Sequence, residues 1–312
     1  DRLPDAQGCP QRLHHSGEEE GGRPAFDPAR PAILEGALEA WPDRGSWELG
    51  RLLKDYGGSE FVVGAALPPS AGDSDGASDL DHMAVTMSLR DYCEYSQGQR
   101  DDSPLYIIDD VFLDSGAALG SAYARPACLE EDLMDLLRPR YRVPYRGVLI
   151  GAERSGTTVL CSFLKDTLQT SAWNTLASGL KRWVLFPPTV SACSIHGPFP
   201  GDGETGCSDE GVYSSAAGWF HERYPSLGEH GACCFDFLQQ PGETVYVPRG
   251  WWHCVVNLRF SIAITENLFS RRDLGAAYDH FCRTEPVLAS AWRAALLETP
   301  DLRPLVAGLP RP

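Results

Sequence analysis

The stretch Pro241-Gly242-Glu243-Thr244-Val245-Tyr246-Val247-Pro248-Arg249-Gly250-Trp251-Trp252-His253 decides how this chain folds. Pro-Gly makes a turn, the β-branched and aromatic run Thr244-Val245-Tyr246-Val247 makes a strand, and Pro-Arg-Gly makes a second turn. His253 then emerges at the start of a further strand, Cys254-Val255-Val256-Asn257. A strand end fixes the direction of an imidazole, which suits a metal ligand. It equally suits a packed, hydrogen-bonded histidine, and the local sequence leaves both readings open.

Similar short apolar runs lie on either side: Gly147-Val148-Leu149-Ile150, Arg182-Trp183-Val184-Leu185-Phe186 and Phe260-Ser261-Ile262-Ala263-Ile264-Thr265. Short strands separated by turn residues point to a sandwich or barrel. Residues 191–213 form a long Gly, Ser, Cys and Asp segment without periodicity, of the kind that serves as a lid or insertion. Upstream, Ala32-Ile33-Leu34-Glu35-Gly36 reads as a strand. Ser46 is expected to start a helix with Leu49, Leu52, Leu53 and Tyr56 on one face, ended by Gly57-Gly58. Residues 68–81 read as a loop, and a second helix is expected from Ser88 through Tyr92 and Tyr95. The tail from Arg271 has Leu274, Ala277, Tyr278 and Phe281 at helical spacing, and 304–312 is expected to lack regular structure. The organisation expected is a flexible arm over 1–30, a helical or mixed part over 31–140, a β core over 141–270 and a helical tail over 271–312.

With 312 residues and 43% hydrophobic content, the chain can bury a full core. No window reaches the roughly 18 consecutive apolar residues that a membrane span requires, so the expectation is a soluble intracellular protein without a membrane partner. The formal charge of −16 argues against nucleic-acid binding by bulk electrostatics and suits a basic protein or peptide partner. Ten scattered cysteines without a CxxC pair read as reduced thiols.

A second segment, 166–188, runs Asp166-Thr-Leu-Gln-Thr-Ser-Ala-Trp-Asn174 and continues to Lys181-Arg-Trp-Val-Leu-Phe-Pro-Pro188. A lysine entering a buried strand needs an anionic partner, whereas one at a strand start can remain on the surface. Together, Thr-Ser-Ala-Trp-Asn, Lys-Arg-Trp-Val-Leu-Phe-Pro-Pro, Pro-Gly-Glu-Thr-Val-Tyr-Val-Pro and Gly-Trp-Trp-His-Cys-Val-Val-Asn-Leu resemble the JmjC family. Within it they are similar to the phosphatidylserine receptor-like branch of arginine demethylases and lysyl hydroxylases. The run Asp101-Asp-Ser-Pro-Leu-Tyr106-Ile-Ile-Asp109, the trio Pro144, Tyr145 and Arg146, and Arg154-Ser155-Gly156-Thr157 fit the same branch.

The resemblance implies a mainly β fold, a double-stranded β-helix or cupin-like jelly-roll barrel with flanking N-terminal and C-terminal helices. It also implies Fe(II) in a two-His, one-carboxylate set with open positions for 2-oxoglutarate and oxygen. Carried over by position, His253 and Asp166 resemble iron ligands. Lys181 resembles the partner of the far 2-oxoglutarate carboxylate, with Asn174, Tyr106 and Thr265 around it, and Asn257 faces the same side as His253. The implied activity is hydroxylation or demethylation of protein side chains by a dioxygenase, in the nucleus or cytoplasm.

One position departs from that pattern. The family carries its first histidine two residues before the carboxylate, which is Leu164 here; counting forward from Thr157 reaches Leu160 instead. Leucine has no lone pair for a metal, and outer partners do not replace a missing ligand. The departure reads as a scaffold kept for binding, as recruitment of a substitute such as Cys161, or as an imperfect gene model. The alternative function is therefore a catalytically inactive JmjC module that binds peptide; a cupin-like small-molecule binder is a third reading. His221 with His230 reads as a weak metal pair, and Trp251-Trp252 as barrel packing or a cation–π pocket.

Overall fold

Two long strands organise the molecule, Ser171–Phe186 (β8) and Trp252–Leu268 (β11), paired antiparallel along most of their length. Both bend at the same level. Gly179 takes a φ of +105°, and a Cβ there would lie 2.5 Å from the Phe260 carbonyl oxygen, so glycine is required. Opposite it, the β11 register shifts between Asn257 and Ala263, as β-bulges do where a barrel strand turns a corner. The short runs foreseen in the sequence are thus halves of longer, bent strands: 182–186 belongs to β8, and 254–257 joins 260–265 in β11.

The computed structural model describes residues 9–14, 27–64, 85–113, 118–137, 146–157, 170–191, 194–195, 215–228 and 234–310. The remaining strands are Gln11–His14 (β1), Ala32–Glu35 (β2), Glu60–Gly64 (β3), Val85–Ser88 (β4), Tyr106–Asp109 (β5) and Arg146–Gly151 (β6). They are followed by Gly156–Thr157 (β7), Phe235–Gln239 (β9) and Thr244–Val247 (β10). The order is β1-β2-β10-β8-β11-β6-β5-β3-β4, with β7 on β11 and β9 on β8. Among the described strands, only β1 and β2 pair in parallel. This is a mainly β, jelly-roll type of sheet; its ladder is not closed among the described residues.

The face of β8 and β11 that carries Trp183 and Leu185 packs with Ile33, Phe237, Val245 and Val255. Its continuation past the bend carries Leu176 and Ala263 against Tyr106 and Leu149. The other face of the sheet packs Trp173, Tyr246, Ile262 and Ile264 against Trp41, Trp47 and Tyr123, beneath helices Leu49–Tyr56 (α1) and Leu89–Gly98 (α2). Ser88 caps α2 by accepting from the Asp91 N–H, as its position ahead of the apolar periodicity implies. For α1 the expected start moves: Arg44–Trp47 is a 3-10 turn and the α-helix begins at Leu49.

The tail forms helices Leu274–Thr284 (α3), Pro286–Glu298 (α4) and Arg303–Ala307 (α5) around Trp292 and Phe281. Helix α5 corrects the expectation of an irregular 304–312: Pro304 sits in its first turn, where a missing N–H costs nothing, and Val306 is buried. Within the expected arm, β1 pairs with β2. The expected loop at 68–81 and most of 191–213 lie outside the described residues. Among the described cysteines, Cys93, Cys128, Cys254 and Cys282 are free thiols. Burial pushes the Cys93 and Cys128 thiols up to about 11, which keeps them protonated at neutral pH.

Candidate functional site

Register places the candidate residues. Asn257 lies opposite Lys181, His253 opposite Leu185, and Thr265 opposite Asn174. Side chains alternate along a strand, so His253, Val255 and Asn257 share one face with Leu185, Trp183 and Lys181. That face is the barrel interior lined by Trp183, Val255 and Phe237.

Lys181 is 1% exposed and sits in the middle of β8 rather than at its start. Its Nζ donates to the Tyr106 hydroxyl at 3.0 Å and lies 5.7 Å from the centre of that ring. Among the described residues no carboxylate pairs with it. The anionic partner that a buried ammonium needs is therefore not supplied by the described protein. Tyr106 is itself 3% exposed, and comes from β5, two strands away from β11 in the sheet.

Among the described residues, Asn174 Oδ1, Asn257 Oδ1, His253 Nδ1 and Thr157 Oγ1 are buried without a hydrogen-bond partner, as are the indole nitrogens of Trp41, Trp47 and Trp173 and the Tyr278 hydroxyl elsewhere in the fold. Buried polar groups in folded proteins are nearly always satisfied, so each such acceptor beside the Lys181 ammonium has capacity for a water, an ion or a ligand. Thr265 is partly spent, since its Oγ1 donates to the Trp173 carbonyl at 2.8 Å. His253 lies four residues along β11 from Asn257, roughly 13 Å at the strand rise, with its ring 6.1 Å from that of Trp183. Asp166 lies outside the described residues, as do Leu160, Cys161 and Leu164. The structure thus brings Lys181, Tyr106, Asn174, Thr265, Asn257 and His253 to one interior wall.

Sequence reasoning missed three contributors. Gly151, the register partner of Tyr106, admits both the Tyr106 ring and the Asn257 carboxamide: a Cβ there would lie 2.7 Å and 2.1 Å from them. A glycine inside an apolar strand is the signal that could have found it. Gln239, fully buried opposite Lys181 on β9, accepts from Trp183 Nε1 at 2.8 Å and donates to the Asn174 and Glu243 carbonyls. Ser155 bonds Asn257 directly, at 2.9 Å from its Nδ2.

The secondary features fall elsewhere. Trp251 stacks on Phe235 and donates to the Ala29 carbonyl; Trp252 donates to the Val190 carbonyl within a separate core under the helical segment 216–228. Both serve packing. His221 lines an open groove of about 280 Å³ with Arg182 and Phe220, and His230 lies outside the described residues.

The arrangement of a buried ammonium, a phenol and carboxamides inside a jelly-roll sheet agrees with comparison to known proteins. The family model "Cupin-like domain" matches residues 23–269. The chain belongs to the cupin-like family. This cupin-like chain is 36% identical over 248 residues to the arginine-specific demethylase JMJ22 of Arabidopsis thaliana, covering 80% of itself and 43% of that protein. It is 32% identical over 252 residues to the lysine-specific demethylase JMJ21 of the same plant, covering 80% of itself and 24% of that protein. It is 33% identical over 283 residues to the bifunctional arginine demethylase and lysyl-hydroxylase psr-1 of Caenorhabditis elegans, covering 89% of itself and 66% of that protein. The cupin-like chain thus spans between a quarter and two thirds of the length of these relatives. The JmjC resemblance read from the motifs is borne out by these matches.

The residues fit the two implied cofactors unequally. Lys181, with no carboxylate partner among the described residues and the Tyr106 hydroxyl beside it, fits a carboxylate of 2-oxoglutarate. For Fe(II) the sequence offers His253 and Asp166 as the residues that would hold it. No histidine occurs between His82 and His196, so the first ligand of a two-His, one-carboxylate set is missing from its place. The iron set is one ligand short.

Proposed function

We propose that this chain is a JmjC-type protein of the Fe(II) and 2-oxoglutarate-dependent class, built as a hydroxylase or demethylase of protein side chains. The supporting observation is Lys181, a buried ammonium whose described surroundings contain no carboxylate. A dicarboxylate supplies that charge: one carboxylate meets Lys181 and Tyr106, and the other end extends along the wall towards His253. Relatives named as arginine and lysine demethylases and as a lysyl hydroxylase support a protein side chain as substrate. The chain's net charge of −16 favours basic segments among such substrates. The nucleus or cytoplasm is the compartment this reading implies.

In this class the metal supplies activation of oxygen beside the target bond. This chain's own residues perform the other tasks. Lys181 and Tyr106 bind and neutralise the cosubstrate, Asn174 and Thr265 line its seat, and Trp183 with Val255 keeps the wall apolar and excludes water. His253 presents its Nδ1, without a partner among the described residues, on the same face.

Leu164 favours a second reading, a non-catalytic module that binds dicarboxylate or peptide without turnover. One comparison separates the two. Purified protein and its Leu164→His variant are assayed for retained iron and for succinate formed from 2-oxoglutarate. The oxygenase reading expects iron-dependent succinate from the unaltered chain. Turnover only in Leu164→His, with 2-oxoglutarate bound by both proteins, establishes the module instead. Absence of 2-oxoglutarate binding by either protein rejects the oxygenase and the dicarboxylate module and leaves peptide binding alone.

A further inference from the structure

The motif Arg154-Ser155-Gly156-Thr157 was read from the sequence only as part of a resemblance, yet it is locked to the site strand. The Arg154 N–H donates to the Asn257 carbonyl and the Asn257 N–H to the Ser155 carbonyl, each at 2.8 Å. These paired bonds hold Arg154 at a φ of +73°, a left-handed conformation that a non-glycine residue adopts only when its surroundings impose it. The side chains are locked as well. Ser155 Oγ donates its single proton to the Ala152 carbonyl at 2.7 Å, so towards Asn257 it can only accept. The Asn257 amide nitrogen therefore faces Ser155, at 2.9 Å, and the orientation of the carboxamide follows from the bonding rather than from electron counts.

The consequence is a fixed acceptor. Asn257 Oδ1 is buried, has no partner, and belongs to a residue that is 1% exposed. Gly151 allows this carboxamide and the Tyr106 ring to flank one point, and Tyr106 carries the hydroxyl that receives the Lys181 ammonium. Asn257 is the register partner of Lys181, and a carbonyl oxygen next to a seat for an anion cannot bond a carboxylate, because both are acceptors. It can do so through a molecule with two donors.

We propose that Asn257 is a specificity-determining residue of this seat, holding one water that donates one hydrogen to Oδ1 and the other to the carboxylate gripped by Lys181, with Ser155 as the residue that positions it. Water bridging of this kind is nearly as favourable as a direct bond and adds a distance requirement on the ligand. The inference rests on the dicarboxylate reading of Lys181.

Calorimetric titration of 2-oxoglutarate into the intact chain and into Ser155→Ala, Ser155→Thr, Asn257→Ala, Asn257→Asp and Lys181→Met tests it, with the four-carbon oxaloacetate as the length control. Ser155→Ala and Asn257→Ala are expected to weaken 2-oxoglutarate binding roughly fivefold each, and the double variant no more than either. Both narrow the preference for 2-oxoglutarate over oxaloacetate, and Ser155→Thr, which keeps the hydroxyl, restores it. Asn257→Asp, of the same size but negatively charged, is expected to bind more weakly than Asn257→Ala. A purely structural role gives the reverse order for these two and leaves the length preference unchanged, which overturns the inference. If the unaltered chain binds and Lys181→Met does not, while all variants at 155 and 257 match the unaltered chain, the inference fails and the seat stands. If Lys181→Met binds as well as the unaltered chain, the seat itself is wrong and the inference falls with it.

Discussion

Two buried polar regions lie on adjacent residues of β11 and are built on opposite plans. On one face Glu266 accepts from the Tyr123 hydroxyl at 2.5 Å and pairs with Arg125, which also reaches Asp135 at 2.5 Å and Asp132 at 3.8 Å. Asp132 Oδ1 accepts from the backbone N–H groups of Met134 and Phe269, each at 3.0 Å, tying the tail to the sheet. Every charge in that group has an opposite within the protein. On the other face, from Thr265 to His253, Lys181 has a phenol but no carboxylate, and four polar atoms have no partner, among the described residues. The first region holds the chain to itself, and the second is complete only with something added. Burial of a charge therefore does not mark a site; a buried charge without an opposite among the described residues does.

Substitutions that remove a charge from each region sharpen this contrast. Lys181→Met is expected to lower 2-oxoglutarate affinity at least 100-fold, about 3 kcal/mol, for a lost charge-assisted contact in a buried seat. The melting temperature of the free protein stays the same or rises, because an uncompensated buried charge has gone. A fall of several degrees in free Lys181→Met breaks the comparison. Glu266→Ala is expected to do the opposite, costing about 3 kcal/mol of stability in denaturant titration, because Arg125 and Tyr123 lose a buried partner. A cost below about 0.5 kcal/mol would place that group among surface pairs.

Gly151→Ala strains the seat itself. A Cβ 2.1 Å from Asn257 Nδ2 forces the carboxamide or the Tyr106 ring aside, so affinity falls together with about 1–3 kcal/mol of stability. Full affinity in this variant, measured by calorimetry, removes Gly151 from the seat.

The smallest effect concerns pH. Burial raises the Asp132 carboxyl above its ordinary value, against the opposing bonds from Phe269 and Met134. A carboxyl raised in the folded state binds protons on folding. Its contribution is fully present below the unfolded value and is lost as pH rises through the folded one. Asp132→Asn is therefore expected to flatten the fall in melting temperature as pH rises out of the carboxylate range, an unchanged slope being the contrary result.

Much of this was legible in the sequence. The run 241–253 carried its turns and strand in local chemistry, and Ser88 announced its helix by capping. The site residues Lys181, Tyr106, Asn174, Thr265, Asn257 and His253 came from motif resemblance, and the register then set them on one wall. What stayed hidden was long-range. The continuity of β8 and β11 depends on a bend at Gly179 against Ser261, a contact across 82 residues that no local pattern records. Ser155 reads as an ordinary loop serine until Asn257 is placed beside it, and helix α5 was masked by Pro304, which ends helices except in a first turn.

The central claim is that the ammonium of residue 181 awaits an external carboxylate. A crystal structure of the chain soaked with 2-oxoglutarate tests this most directly. The expected result is one ligand carboxylate within about 3 Å of both Lys181 Nζ and the Tyr106 hydroxyl. Ligand density elsewhere, or a side-chain carboxylate of the protein occupying that position, would contradict it.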